Sequence, residues 1–491
     1  MSEVPSPSHE LDAYCDQADR FVATLNEEYY LHLSGQKTLL ELAPIYDAHA
    51  SLTTLEACSD LRQSGSTELW RFACEGYLGN LTRRQEEQRA ELVTRLVAEL
   101  DGERIGYRML RPAIANEPDR DRRERLERAR IELVDELNPV LAEAHEQTAE
   151  AARELGGGSY RALYEGFGFD LTELGERCER FLADTEDLYV AAFDGLLRTR
   201  LGLGIDDVRR SDVPRLLRGS AWDEGFPASG MLPALKSTLT DLGIDLQAQR
   251  NIQLDIERRP LKTPRAYCFP IEVPGRVILM IQPIGGLDDW NALFHEAGHS
   301  EHFAHTSPRL SFEARRLGDN AVTECWAFLL EHLVSDPVWL NRRLDFGRPD
   351  EFAAESAAVT LYFVRRYSGK LLYELELHAD GGQALMPDRY AELLTEATKV
   401  EYTPADSLLD VDAGFYASSY LRAWMLEAQL SRYLREQFGR AWFAERSAGS
   451  LLRELWNEGQ GMSADRLADE VMGQTIEFDA LADALRERVN A

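Results

Sequence analysis

Three observations predict a mainly α-helical protein with one small β element. Long stretches repeat apolar residues at helical spacing, the period turns strand-like around a single Pro-Gly pair, and 491 residues with 44% hydrophobic content are enough for a large core. The first half reads as successive helices. In "RRQEEQRAELVTRLVAELDG", Leu92, Val93, Leu96, Val97 and Leu100 recur at i, i+3, i+4 spacing before Gly102, which predicts one helix with a buried stripe. In "RRERLERARIELVDELNPVLAEAHEQTAEAARELGGG" the pattern runs longer, with Pro139 a kink or break and Gly156 to Gly158 a stop. The charged faces of these helices read as solvated exterior.

Residues 1–217 form a helical N-terminal region on this reading, and 218–231 ("RGSAWDEGFPASGM") is a possible linker rich in Gly, Ser and Pro. Residues 232–491 carry the motifs. Within them "PRAYCFPIEVPGRVILMIQP" predicts a hairpin, 266–273 and 277–282, turning at Pro274-Gly275. A glycine loop, "PIGGLDD", follows, and Asp288 or Asp289 is expected to cap the next helix.

Charge and composition narrow the partners. A formal net charge of -31 disfavours nucleic acid and anionic membrane surfaces, both of which need a cationic footprint. No apolar run is long enough to cross a bilayer, and "MSEVPSPSHELDAYCDQ" lacks a basic region followed by an apolar one, so a cytoplasmic location is expected. Six scattered cysteines without a CxxC pair suit reduced thiols.

The stretch "DDWNALFHEAGHSEHFAH", Asp288 to His305, concentrates the chemistry. His295 and His299 are four residues apart, so on a helix both rings leave one face and can reach a single ion. Glu296 lies about 100° around from His295, where it can reach a metal-activated water without being a ligand. One Zn2+ suits two imidazoles, with a third protein ligand still required. Glu324, on the helix predicted for "LGDNAVTECWAFLLEHL", is the first candidate for that ligand, with Glu331 on the same face as the fallback. Taken alone, either reads as an ordinary solvated or supporting carboxylate. His302 and His305 follow at helical spacing and stay outside the metal set.

These segments together resemble the thimet oligopeptidase and oligoendopeptidase F family of zinc metallopeptidases. "AYC" and "RVILMIQP" resemble its strand pair, "LDDWNALFHEAGHSEH" its H-E-x-G-H helix, and "AVTECWAFLLE" its glutamate-ligand helix, spanning about residues 265–333. A weaker likeness lies at "DVDAGFYASSYLRAW", similar to the family's Asp-Ala-Gly-Tyr-Tyr segment. Asp412, Ala413 and Gly414 match, Phe415 stands where a tyrosine is usual, and the family's preceding histidine has no counterpart in "TPADSLLDVD".

The resemblance implies a large multi-helical peptidase fold with a central cleft walled by the N-terminal half. It implies Zn2+ on His295, His299 and Glu324, Glu296 as general base, and Tyr416 or Tyr420 as donor to the oxyanion. The substrates implied are short unstructured peptides, with the hairpin edge offered as a pairing strand. The departures at Phe415 and the missing histidine keep open a non-catalytic peptidase-like shell that binds a peptide or partner. A zinc amidohydrolase acting on a non-peptide amide would use the same chemistry.

Overall fold

The computed structural model describes residues 7–379 and 385–490, and these are mainly helical. One continuous apolar core runs from Ala18 to Leu485, drawing on helices of both halves, with two satellite clusters beside it. The segment 218–231 is folded into two short 3-10 turns, Ser220–Gly225 and Ala228–Gly230, and Trp222 and Phe226 are buried in the main core.

The helix beginning at Thr67 ends at Arg95, not at Gly102. Val97–Leu100 forms strand β1 and pairs antiparallel with β2, Glu103–Gly106. Asp101 and Gly102, with φ of 52° and 82°, make the two-residue turn. The apolar stripe expected on one helix therefore passes from helix to hairpin: Leu96 and Ala98 bury in the satellite cluster with Leu110 and Leu126. The Asp-Gly pair is a strong hairpin signal, since a two-residue loop needs two positive φ values. Helix Arg120–Glu154 runs on through Pro139 without breaking, and Gly156 follows its end at φ 80°.

The predicted hairpin is present as β4, Tyr267–Glu272, and β5, Arg276–Met280, paired antiparallel. A third strand, β3 (Ile252–Asp255), lies parallel to β5, giving the order β3-β5-β4. It is short and half exposed, so it carries little periodic signal. One face of the sheet, Phe269, Ile271, Ile278 and Met280, packs under Tyr29, Tyr30 and Leu33 of the first helix, Pro7–Leu33.

The motif helix, Leu287–His305, starts at an N-cap of Gly286 with no side-chain cap. Neither Asp288 nor Asp289 caps it, because the helix begins early enough to place both inside its first turn. Asp289 instead accepts the loop N–H groups of Ile284 (2.5 Å) and Gly285 (2.8 Å), while negative charge in the first turn still complements the helix dipole. The return helix, Asn320–Glu331, packs alongside and is buried at every position from Ala321 to Leu330. No helix among the described residues is long and apolar enough to cross a membrane, and all six cysteines are free thiols.

Candidate metal centre

Close approach of two helices builds the site. A Cβ placed on Gly298 would fall 2.3 Å from the Trp326 carbonyl oxygen and 2.5 Å from the Ala327 Cα, so only glycine lets the motif helix press this close to the return helix. Across that contact His295, His299 and Glu324 offer one donor atom each, all within 4.8 Å of one another. Oε2 of Glu324 stands 3.5 Å from Nε2 of both histidines. The expectation of a solvated glutamate does not apply here, since Glu324 is 3% exposed.

The far side of each imidazole is held. Nδ1 of His295 lies 2.8 Å from Oε2 of Glu331, and Nδ1 of His299 lies 2.9 Å from the Thr323 hydroxyl oxygen. With Nδ1–H donating outward, each Nε2 lone pair points at the shared centre, the arrangement that metal-ligating histidines use. Glu331, the fallback ligand, is thus the group that orients His295. Thr323 was not among the sequence candidates, although its place beside Glu324 on the return helix was legible.

Three observations test whether a cation fits. Oε2 of Glu324 is buried and accepts no hydrogen bond. It is faced by two Nε2 atoms whose opposite nitrogens are already engaged, and two imidazoles with one carboxylate form a donor set suited to zinc. A carboxylate so buried demands positive charge beside it. Burial would raise its pKa, but His299 and His295 outweigh that and hold it well below the usual carboxylate range. Burial likewise opposes the charged form of His295, while Glu324 and Glu331 push its pKa well above that of an ordinary histidine. A divalent cation would supply that charge directly.

Glu296 lies beside this set. Its pKa is raised by burial, with the nearby histidines pulling it down, Glu324 pushing it up and the Cys268 backbone beside it lowering it slightly. Cys268 belongs to β4, so the sheet lies beside this glutamate. Part of the expected pairing edge is taken: the Pro270 carbonyl accepts from Asn26 (3.1 Å) and Arg316 (2.8 Å), and the Ile271 carbonyl from Arg316 (2.8 Å).

Tyr416 and Tyr420 share the helix Tyr416–Phe438, but only Tyr416 reaches the candidate donor set with a hydrogen bond: its hydroxyl donates to Oε1 of Glu324 at 2.6 Å. Tyr420 packs its ring on Tyr416 at 5.2 Å and on Phe328 at 6.0 Å. Phe415, at φ 52°, is buried against Tyr160, Tyr164 and His378, a packing role that needs no hydroxyl. His302 is buried and its pKa pushed down to about 3 by that burial, as for a neutral core histidine, and His305 bonds Glu301. Both stand outside the donor set.

The site opens into a cavity of about 250 Å³ bounded by His299, Glu324 and Tyr416 on one side and Val22, Asn26 and Cys268 on the other. Gln460 borders both this cavity and a larger one of about 490 Å³, lined by Arg71 and Phe169 from the first half and Asp319 and Arg422 from the second.

No protein-family model matches the chain, and no curated protein matches it in sequence. Solved structures match it in fold. A Bacillus anthracis str. Ames protein assigned as an oligoendopeptidase F superposes with a TM-score of 0.62 at 14% identity, covering 97% of this chain and 84% of that one. A PZ peptidase A bound to an inhibitor gives 0.66 at 15% identity, over 100% of this chain and 99% of that one. Another protein assigned as an oligoendopeptidase F gives 0.67 at 14% identity, over 99% and 93%. The chain therefore has the large, mainly helical fold of these peptidases over nearly its whole length.

Proposed function

We propose that the chain is a zinc-dependent metallopeptidase acting on short unstructured peptides. The observation that carries this reading is the convergence of Nε2 of His295, Nε2 of His299 and the unbonded Oε2 of Glu324 beside Glu296. The likeness in fold to an oligoendopeptidase F and a PZ peptidase A supports peptides as the substrate class.

His295, His299 and Glu324 would hold the ion, with Glu331 and Thr323 fixing the two rings. When bound, zinc lowers the pKa of water and polarises a carbonyl. Glu296 takes the proton of the attacking water and returns it to the leaving amine, a role that needs a carboxylate next to the ion but outside its ligand set. Tyr416 offers a hydroxyl to the developing oxyanion, a contact strongest at the transition state. Cavities of about 250 and 490 Å³ suit segments of peptide.

A second reading, a peptide-binding shell without hydrolysis, draws support from one observation: the Tyr416 hydroxyl is engaged by Glu324. The two separate cleanly in mass spectrometry of a mixed pool of short peptides incubated with the zinc-loaded protein and with Glu296→Gln. Cleavage by the wild type alone supports the peptidase. Stoichiometric zinc with intact peptides in both samples would overturn it and leave the binding shell.

A further inference from the structure

Tyr416 is reached through two consecutive left-handed residues. Gly414 has φ 70° and Phe415 φ 52°, and helix Tyr416–Phe438 begins at the next residue. Glycine adopts this conformation freely, whereas phenylalanine keeps it only where its surroundings fix it. The direction in which the helix leaves, and with it the place of the Tyr416 hydroxyl beside Glu324, therefore depends on what holds the residues just before it.

The two halves of the chain hold them from different sides. From the first half comes a relay of hydroxyls. The Gly414 N–H donates to the Tyr160 hydroxyl at 2.9 Å, Tyr160 donates to the Tyr164 hydroxyl at 3.5 Å, and Tyr164 donates to Oε1 of Glu75 at 2.8 Å. Tyr160 and Tyr164 stand one turn apart on helix Tyr160–Gly166, and Glu75 lies on helix Thr67–Arg95. An ionised carboxylate only accepts, so Glu75 sets the direction of the relay: each hydroxyl gives its proton onward and keeps a lone pair for the group behind it. The last of those lone pairs receives Gly414. A Cβ on Gly414 would fall 3.1 Å from the Tyr164 oxygen, and both tyrosine rings pack on Phe415 at 5.6 Å.

From the second half, helix Pro349–Leu377 supplies Lys370 and Glu374. Nζ of Lys370, a residue 3% exposed, lies 2.5 Å from Oδ2 of Asp412, and the Asp412 N–H donates to Oε1 of Glu374 at 2.9 Å. A bond between two ionised groups is shorter and stronger than a neutral one. Asp412 and Gly414 flank Ala413, so the chain is gripped by opposite halves at positions two residues apart. Among the described residues none of Tyr160, Tyr164, Lys370 and Asp412 bonds His295, His299 or Glu324. Their one route to the site is Tyr416, whose hydroxyl meets Glu324 at 2.6 Å.

We propose that Tyr160 and Lys370 are positioning residues for the Tyr416 hydroxyl: by holding the backbone at Gly414 and the side chain of Asp412, they fix the left-handed pair and aim Tyr416 at the site. A donor already in place needs no reorganisation when charge develops on the oxyanion. The inference rests on the peptidase reading for the task of Tyr416, and it gives the first half of the chain a part in that task.

The test is a pair of double-mutant cycles in peptide hydrolysis at saturating zinc. Tyr160→Phe removes one hydroxyl and keeps the ring against Phe415. Asp412→Asn removes the charge that Lys370 grips and keeps the N–H for Glu374. Each should lower kcat roughly 3- to 10-fold with KM little changed. In the Tyr416→Phe background the same two changes should have no further effect, because the hydroxyl they position is gone. Tyr77→Phe, which deletes an exposed hydroxyl bonded to Glu154 at 3.1 Å, should match its parent in both backgrounds. A merely structural role would cut kcat equally in the two backgrounds, and that result, or no loss in either, overturns the proposal. So does a Tyr416→Phe variant as active as wild type.

Fluorine NMR of a fluorinated tyrosine in place of Tyr416 reads its surroundings without turnover. The signal should shift or broaden in Tyr160→Phe and in Asp412→Asn and stay unchanged in Tyr77→Phe. A moved signal in a protein that hydrolyses no peptide would sink the peptidase reading and keep the clamp on Tyr416. An unmoved signal beside normal hydrolysis would do the reverse.

Discussion

Oε2 of Glu331 lies 2.8 Å from Nδ1 of His295 and fixes which nitrogen of that ring faces Glu324. A carboxylate in this position orients the imidazole and makes it a more basic ligand. Glu331→Ala should weaken zinc binding by about 10- to 100-fold. Glu331→Gln should fall between, because its amide oxygen still accepts from Nδ1–H but carries no charge. Competition against a zinc chelator measures both. An affinity unchanged in Glu331→Ala would mean that packing alone holds His295.

Gly298→Ala tests the helix contact beneath the donor set. Helix propensity favours alanine by about 1 kcal/mol. Against that, the added methyl would meet backbone, the Trp326 carbonyl at 2.3 Å and the Ala327 Cα at 2.5 Å, and backbone cannot swing aside. Overpacking of this kind costs about 1–3 kcal/mol or more, so the net change should be destabilising. The separated helices should also carry Glu324 away from the histidines. A lowered urea midpoint together with weaker zinc binding is expected. A variant more stable than wild type would show that the helices can part freely.

How far such relationships were readable beforehand depends on whether they are local. His295 and His299 were legible because one turn of helix places them together whatever surrounds it. Choosing between Glu324 and Glu331 needed the rotation of the return helix against the motif helix, which helical spacing within the return helix does not specify. The β1–β2 hairpin was missed because Val97 and Leu100 continue the helical spacing of Leu92, Val93 and Leu96. Asp101-Gly102 was the contrary signal, and it outweighs the periodicity because few other pairs adopt two positive φ values at low cost.

Tyr416 and Tyr420 looked equivalent from their spacing, and their surroundings separate them. The Tyr416 hydroxyl is 2.6 Å from Oε1 of Glu324, whereas Tyr420 contributes a ring packed on Tyr416, Tyr367 and Trp424. If Tyr416 serves the oxyanion, Tyr416→Phe at saturating zinc should lower kcat by about 100-fold or more with little change in KM. Tyr420→Phe should cost less than about 10-fold, having removed no hydrogen bond to His295, His299 or Glu324. The contrary result, weaker zinc binding in Tyr416→Phe with kcat restored by added zinc, would make Tyr416 a positioning residue for Glu324.

Glu374 should give the stability a pH dependence away from the candidate metal site. It is 0% exposed on helix Pro349–Leu377, accepts from the Asp412 N–H at 2.9 Å through Oε1, and its Oε2 is buried without a partner. Burial pushes its pKa up to about 8 from the ordinary glutamate value of 4.5, with Lys370 pulling it down and Asp412 and Asp410 pushing it up. Between those two values the folded protein holds a proton that the unfolded chain has released. Its contribution is therefore fully present below about 4.5 and is lost as the pH rises through about 8. Glu374→Gln keeps the shape and an acceptor oxygen for the Asp412 N–H without titrating. The variant should lose less stability than wild type as the pH is raised from about 5 to about 8. Urea unfolding midpoints across that range measure the difference. Parallel curves for the two proteins would show that Glu374 is ionised in the fold and that Lys370, 3.9 Å away, compensates it fully.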